Sequence, residues 1–430
     1  MSKEKIAVIG SGISGLSASF FLSNKYDVHL FEKNKLLGGH TRTIKFKDLN
    51  RSLSIDTGFI VFNEKNYPDL VSFFNYLDVK TSNSNMSFSV SCGSPFVEYG
   101  GSSFNALFSQ RRNFFSIKFI SLLFEINRFY KIAKKLDLNL IDDNCTIEDF
   151  LIKNKFSDKI KNLHIYPMIS SIWSTNYKDV KSFPLILFIN FFNNHNLFNF
   201  SNRPQWKYVS GGSYNYIEEL IKKKLFKFSI NCEIKKIIRK NNKIQLIDSL
   251  EKNYFFDKVI FANHANQAIE MLEKPTLREL DILSNFKYTT NKAYLHSDST
   301  FMPKKKLAWS SWNFLQNIKE INKFSLTYWM NKLQNIDGPK NYFVSINPQN
   351  KPKDVIDRTT FEHPIFNIDT LMAQKNLGDI QGANNTFFCG SYCGYGFHED
   401  GIQSAAYVAQ KLNVKLPWNR GKNFYKRLNY

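Results

Sequence analysis

Apolar residues run unbroken over Ile6–Ile9, stop at a glycine-rich turn, resume through Leu16–Leu22, and return in the stretch Tyr26–Lys33. The first run is short and bounded by Lys5 and Gly10, the pattern of a strand buried on both faces. The second has the length of a helix and the third that of a strand, so the first 33 residues predict a βαβ unit. The far end of the chain reads similarly. Thr386–Gly390 predicts a strand, followed by a turn and a helix starting near Gly401 and reaching Leu412. Between the two ends, Ile230–Asp248 predicts a strand pair and Phe256–Ala268 a strand with a crossover. Asn113–Lys135 shows a different period: Lys118, Ser121, Glu125, Arg128, Lys131 and Lys135 recur in steps of three or four, leaving a narrow polar stripe on a broadly apolar helix. No internal repeat is present.

In the turn Gly10-Ser-Gly12-Ile-Ser-Gly15 the glycines serve different ends, one making a tight turn, one leaving room for a pyrophosphate to approach the backbone, and one letting helix pack closely on strand. The helix N-terminus that follows faces the phosphates. Glu32 ends the second strand 22 positions after Gly10, where an acidic side chain accepts hydrogen bonds from a ribose 2′-hydroxyl. Strand, turn, helix, strand and terminal acid together predict a dinucleotide site. A second glycine pair, Gly38 and Gly39, with basic Arg42 just beyond it, adds backbone and a cation for the same phosphates and suits the longer FAD. The C-terminal helix offers free N–H groups to the same site from the opposite end of the chain.

With Gly10 to Gly15, Glu32, Gly38-Gly39-His40-Thr41-Arg42 and Phe388-Cys-Gly390 through Gly401 in hand, the chain resembles the flavin-containing amine oxidase and phytoene desaturase superfamily. Val209–Leu220 looks like its glycine-pair loop and helix, and Phe256–Ala268 like its crossover into the cofactor domain. The resemblance implies an α/β fold with a discontinuous Rossmann-like FAD domain (about 1–75, 205–275 and 370–415), an inserted α+β substrate domain (76–204 and 276–369) and a basic aromatic tail (416–430). It implies contacts to FAD from Gly10, Gly12, Ser14, Gly15, Glu32 and Lys33, then from Gly38, Gly39, His40, Thr41 and Arg42. Thr57, Gly58 and Phe59 are expected to add to these, with the backbone of Glu233 or Ile234 near the adenine and Gly390, Ser391, Gly401 and Ile402 from the far end. Superfamily members often carry Arg where this chain has His40, which is read either as a flavin-facing donor or as a surface residue. No cysteine matches the family's covalent-flavin position, so FAD is expected to be non-covalent, with no metal. Asp56–Pro68, Ala308–Asn313, Thr327–Gln334 and Gly394–Gly401 further resemble a bacterial branch of FAD-binding oxidoreductases that often accompany cyclopropane-type fatty-acyl methyltransferases.

Composition narrows the partners. Length alone, 430 residues, favours two domains over one. Aromatics at 16% and charged residues at 22% exclude a disordered chain. Five cysteines without a CxxC pair suggest a reducing compartment, and the apolar start, broken by Gly10, Gly12 and Gly15, suits a phosphate-binding turn better than a signal peptide. No run of about 18 apolar residues predicts a spanning helix. The 58 Lys and Arg against 37 Asp and Glu give a net charge of +21, and with no nucleic-acid motif this favours an anionic membrane surface, hence a cytoplasmic location peripheral to the inner face of the membrane. Two segments are candidates for the contact. One is the helix 113–135 with Arg111 and Arg112 before it, whose alternative is a core helix with a solvated stripe. The other is the tail, where Lys415, Arg420, Lys422, Lys426 and Arg427 interleave with Trp418, Phe424, Tyr425 and Tyr430.

Candidate chemistry concentrates in the C-terminal turn. His398 and Glu399 are candidate proton acceptors beside a flavin; Asp400 reads as a helix cap. Tyr392 and Tyr395 are candidate ring-facing aromatics. Lys304, Lys305 and Lys306 read as a solvated loop, and Trp309, Trp312, Tyr328 and Trp329 as tunnel walls or core. The expected reaction is FAD-dependent desaturation of a long, methyl-branched fatty acyl chain of a phospholipid. The alternatives are a double-bond isomerase, an amine oxidase, or a flavoprotein that binds lipid without turnover.

Overall fold

With apolar side chains at Ile6, Ala7, Val8 and Ile9, the strand Lys5–Ile9 is suited to burial on both faces, and it takes the centre of a five-stranded parallel sheet. The computed structural model describes residues 3–48, 50–92, 96–199, 202–316, 324–421 and 427–428. Across the sheet the strands run Lys227–Ser229, Asp27–Phe31, Lys5–Ile9, Lys258–Phe261 and Thr386–Phe388, every neighbour parallel. Ile6 and Val8 enter the core beneath the first helix, Ile13–Leu22, and the C-terminal helix, His398–Lys411. Ala7 and Ile9 enter the core on the other face, beneath the antiparallel strands Ile234–Lys240, Lys243–Asp248 and Asn253–Phe256.

The first and last helices lie against each other because two glycines let them. A Cβ on Gly401 would come within 2.7 Å of both Ile13 Cγ2 and Ser14 Oγ, and one on Gly15 within 1.8 Å of Gly10 O. The C-terminal helix starts at His398, earlier than the expected Gly401, and Asp400 Oδ2 accepts from Phe397 N–H at 2.7 Å to cap it.

A second, seven-stranded sheet runs Val355–Pro364, Tyr288–His296, Phe343–Ile346, Phe324–Trp329, Trp312–Gln316, Phe88–Cys92 and Val97–Gly100. Only Trp312–Gln316 with Phe88–Cys92 is a parallel pair. Helices from residues 104–194 close one end of this sheet, packing with Val90 and Phe314 in one apolar core. The periodic stretch 113–135 becomes a short 3₁₀ turn, Arg111–Phe115, and the helix Ile117–Lys134, capped by Ser116 Oγ accepting from Phe119 N–H. Its Phe119, Leu122, Ile126, Phe129, Tyr130 and Ala133 are buried. Part of its polar stripe is tied to the neighbouring segment 154–157: Glu125 Oε1 accepts from Ser157 N–H at 3.0 Å, and Arg128 donates to Asn154 O at 2.6 Å.

Three residues of the tail expected at headgroups, Trp418, Arg420 and Arg427, are held by the fold instead, while Lys415 is exposed. Trp418 donates from Nε1 to Asp69 Oδ1 at 2.9 Å and packs on Phe20 and Phe21. Arg420 pairs with the same buried Asp69. Arg427 is buried, with its guanidinium 4.7 Å from the Tyr67 ring centroid and 3.4 Å from Asp400 Oδ2. Two buried carboxylates need counter-charges, and these arginines supply them. Lys422, Phe424, Tyr425, Lys426 and Tyr430 lie outside the described residues. Among the described residues no helix is long and apolar enough to cross a membrane.

Candidate active site

The glycine turn sits at the carboxyl end of the central strand, where open α/β sheets bind ligands. Gly10 takes φ +98°, a conformation few other residues adopt, and its amide donates to Phe31 O at 2.9 Å. A Cβ on Gly12 would meet nothing within 4 Å. No protein atom therefore requires glycine there, and the space is what a diphosphate would fill. Gly39, at φ +57°, leans on this turn, since its own Cβ would lie 3.1 Å from Gly12 Cα. Glu32 is buried beside it, one oxygen accepting from Ser11 N–H at 3.0 Å and the other from Asn34 N–H at 2.9 Å. Ser11 Oγ and Asn34 Nδ2 also donate to these oxygens, at 2.5 and 2.9 Å, so the carboxylate is held fast at the edge of the turn.

From this turn a single cavity of about 1500 Å³ runs to the seven-stranded sheet. That exceeds the roughly 300–1,000 Å³ of ordinary ligand pockets and leaves room for a second molecule beside a dinucleotide. Of the residues expected to hold the cofactor, Gly10, Gly12, Ser14, Glu32 and Lys33 line it, as do Gly39, His40, Thr41 and Arg42. Thr57, Gly58, Phe59, Glu233, Ile234, Gly390 and Ser391 complete that set.

Gly15, Gly38, Gly401 and Ile402 do not line it. Gly15 and Gly401 are glycines for the sake of helix packing; Gly38 binds its amide to Ser11 O at 3.0 Å; Ile402 is buried in the core. Arg42 is also corrected as a phosphate cation: its guanidinium makes a bidentate pair with Asp357 at 2.5 and 3.0 Å, so its charge is already met.

His40 is no surface residue. It stacks on Phe361 at 4.9 Å between ring centroids and lies 5.3 Å from His363, and its Nε2 has no hydrogen-bond partner. Burial and the neighbouring imidazoles push its pKa down to about 4 and that of His363 down to about 3, so both are neutral at pH 7.

His398 lines the cavity, stacked on Phe59 at 3.7 Å, with Nε2 2.9 Å from Thr41 Oγ1 and its pKa pushed down to about 3 by burial. Glu399 does not line it. Its oxygens accept from Asp69 and Leu70 N–H, both at 3.0 Å, and so cap the helix Pro68–Tyr76 from 330 positions away. Tyr395 likewise turns from the cavity toward Phe191 and the Arg427 guanidinium, whereas Tyr392 lines it. The expected roles of Glu399 and Tyr395 in catalysis give way to structural ones.

One wall of the cavity carries residues that were not among the expected site residues. Asn263, His264, Tyr288, Phe361, Glu362 and His363 all line it, with His264 Nδ1 3.1 Å from Glu362 Oε2. Asn263 and His264 directly follow the strand Lys258–Phe261 at the sheet's carboxyl edge, a position that could have revealed them. The strand Val355–Pro364 carries no such signal.

The far half of the cavity is rich in apolar side chains, interspersed with Ser84, Asn85, Ser171, Arg203 and Gln205. Met86, Phe88, Met168, Ile172 and Trp173 line it, facing Phe191, Trp206, Trp312 and Tyr328. Trp312 and Tyr328 are a cross-strand pair, 4.8 Å between rings. Trp329, one residue on, points to the opposite sheet face and packs edge-on against Trp309 at 5.4 Å, outside the cavity.

The NAD(P)-binding Rossmann-like domain family matches residues 8–77. A 1-hydroxycarotenoid 3,4-desaturase from Flavobacterium sp. (strain P99-3) is 38% identical over 84 residues, which is 18% of this chain and 17% of that protein. The match thus spans about one-sixth of the relative's length. Among solved structures, the CLA-producing fatty acid isomerase from P. acnes is similar with a TM-score of 0.69 at 12% identity, covering 96% of this chain and 99% of that chain. Cyclohexylamine oxidase from Brevibacterium oxydans IH-35A gives 0.66 at 13% identity, covering 96% and 100%. At such identities the likeness is one of fold: a mixed α/β architecture with a Rossmann-like domain, shared along nearly the whole chain.

Proposed function

We propose that the chain is an FAD-dependent oxidoreductase whose substrate is a long apolar chain, and that it desaturates a fatty acyl group, methyl-branched and still part of a phospholipid. One observation carries this reading. The cavity joins a diphosphate cradle to a chamber whose wall, from residues 84–88, 168–174, 191–206, 312 and 328, presents a single charged side chain among the described residues, Arg203. No carboxylate stands there to draw in an alkylammonium ion. Of the two tyrosines of the C-terminal turn read as ring-facing aromatics, Tyr392 lines the cavity and Tyr395 packs on Phe191.

Bound in the cradle, FAD supplies a hydride acceptor. The chain's own residues bind, position and accept a proton. Gly12 and Ser14 receive the diphosphate and Glu32 the ribose; Trp173, Trp206, Trp312 and Tyr328 exclude water and hold the alkyl chain straight. When a double bond forms, one carbon gives up a hydride and its neighbour a proton. His40, His363 and His398, kept neutral by burial, and the His264–Glu362 pair are groups on the wall able to take that proton.

A double-bond isomerase is the second reading, supported by the fold likeness to the P. acnes fatty acid isomerase; it differs in returning the hydride to another carbon. An anaerobic experiment separates them. Yellow protein is mixed with methyl-branched and unbranched unsaturated phospholipids, flavin bleaching is followed, and the recovered acyl chains are weighed by mass spectrometry. Bleaching with loss of two hydrogens is the expected result. An unchanged mass with a moved double bond would establish the isomerase, and no change in either would overturn both.

A further inference from the structure

The surface around residues 104–124 differs from the solvated faces of the molecule. Phe104 is 67% exposed, Phe115 93%, Ile117 86% and Phe124 70%. Such a set of large apolar side chains on one short stretch marks an interaction site. The ring of Phe104 lies 5.6 Å from that of Phe114, which stacks at 4.1 Å on Phe108, so the patch is braced from beneath. Ile117 and Phe124 stand seven positions apart on the helix Ile117–Lys134 and share a face. The turn Lys306–Ala308 packs against the helix Phe104–Leu107 and brings half-exposed Leu307 beside it.

The same region is strongly cationic. Arg111, Arg112, Lys118, Lys304, Lys305 and Lys306 are all exposed. Arg112 donates to Phe96 O at 3.0 Å and the Lys304 ammonium lies 5.2 Å from the Phe96 ring centroid, which ties the two basic segments together. Among the described residues none of the six forms an ion pair. Glu98, the carboxylate beneath them, is turned inward and accepts from Ser91 Oγ and the backbone N–H of Lys304 and Lys305.

We propose that the surface of Phe104, Phe115, Ile117 and Phe124, flanked by Arg111, Arg112 and Lys304, docks on an anionic lipid bilayer. Exposed rings and aliphatic side chains enter the boundary between headgroups and acyl chains while unpaired cations meet lipid phosphates. A second copy of the chain is a poorer occupant, because a symmetric contact would set this cationic patch against itself. The position also suits supply of an apolar substrate. Gly101, three residues before Phe104, donates its amide to Phe88 O at 2.9 Å, and Phe88 lines the cavity. The docking surface holds or fails independently of which reaction the cavity performs.

The test uses the full-length, FAD-loaded protein sedimented with vesicles of phosphatidylcholine alone or mixed with phosphatidylglycerol. The protein should bind the mixed vesicles selectively. The double variant F115S/I117S and the double variant R111Q/R112Q should each bind at least tenfold more weakly, with flavin absorbance and melting temperature unchanged. A third variant carrying K415Q, K422Q and K426Q tests the rival tail and should bind as the parent does. The proposal is overturned if the parent ignores mixed vesicles, if only the tail variant loses binding, or if the parent is a dimer in solution that F115S/I117S dissociates.

Discussion

A residue can be glycine because something crowds it or because something must come near, and Gly12 belongs to the second kind. Its absent Cβ faces open space while those of Gly15 and Gly401 would collide with neighbouring atoms. Gly12→Val is therefore expected to keep the apoprotein's melting temperature within about a degree or two and to abolish retention of FAD, as read from visible absorbance after purification. The same substitution at Gly15 should instead prevent folding. Glu399 gives the opposite lesson. It resembles a base from its neighbours in sequence, yet its bonds to Asp69 and Leu70 make it a helix cap held among Asp69, Gln403 and Arg427. Glu399→Gln keeps one acceptor and loses the other, so it should cost roughly 1–2 kcal/mol of stability and leave the rate of flavin reduction unchanged. The glycine turn and Glu32 were legible because their meaning lies within 22 positions of chain. Glu399, Arg42 and Tyr395 were not, because their partners are hundreds of positions away or on another helix.

At the scale of elements, the hairpin Thr43–Asp48 with Arg51–Asp56 shows how the cavity's rim is held. Asp56 is buried and takes hydrogen bonds from Thr43 Oγ1 at 2.5 Å, Ser213 N and Oγ at 2.8 Å, and Gln334 Nε2 at 3.0 Å. One carboxylate thus ties the hairpin to the second glycine-pair loop and to the short helix Met330–Leu333 that follows the strand Phe324–Trp329. Asp56→Ala strands four donors, and a loss of about 2–4 kcal/mol is expected, measurable as a lowered urea midpoint with and without FAD. Strand alternation sorted the aromatics just as decisively: Trp312 and Tyr328 line the cavity, and Trp329 packs on Trp309 away from it. The sequence showed four aromatics and left open which of them the sheet's register would turn inward. Likewise the helix 113–135 was legible as amphipathic, but which part stays uncovered depends on partners that come from residues 147–198.

Over the whole molecule, all eight histidines have depressed pKa values, with burial the largest cause in each. An imidazole whose pKa is lower in the folded than in the unfolded chain makes the unfolded chain bind more protons below pH 6.5, so stability falls as pH falls toward about 4. Asp56 and Glu399, pushed up to about 7 by burial, and Asp400, also raised by burial, act in the other direction. Eight groups against three decide the sign, each worth up to ~1.4 kcal/mol per pH unit. The urea midpoint should drop between pH 7 and pH 5; a flat or rising midpoint would contradict the burial of these rings. The overall architecture was legible because both ends of the chain carry glycine-marked turns that belong to one site.

That division of one site between the two ends also sets a schedule. The central sheet takes its strands from residue 5 to residue 388, and the helix that closes it starts at His398. A nascent chain emerging N-terminus first exposes the diphosphate turn long before the strand and helix that complete its neighbourhood exist. Capture by the assembled site must wait until residues 386–411 have emerged, and until then the half-made sheet, with Thr386–Phe388 not yet beside Lys258–Phe261, presents an open edge that a chaperone would have reason to cover.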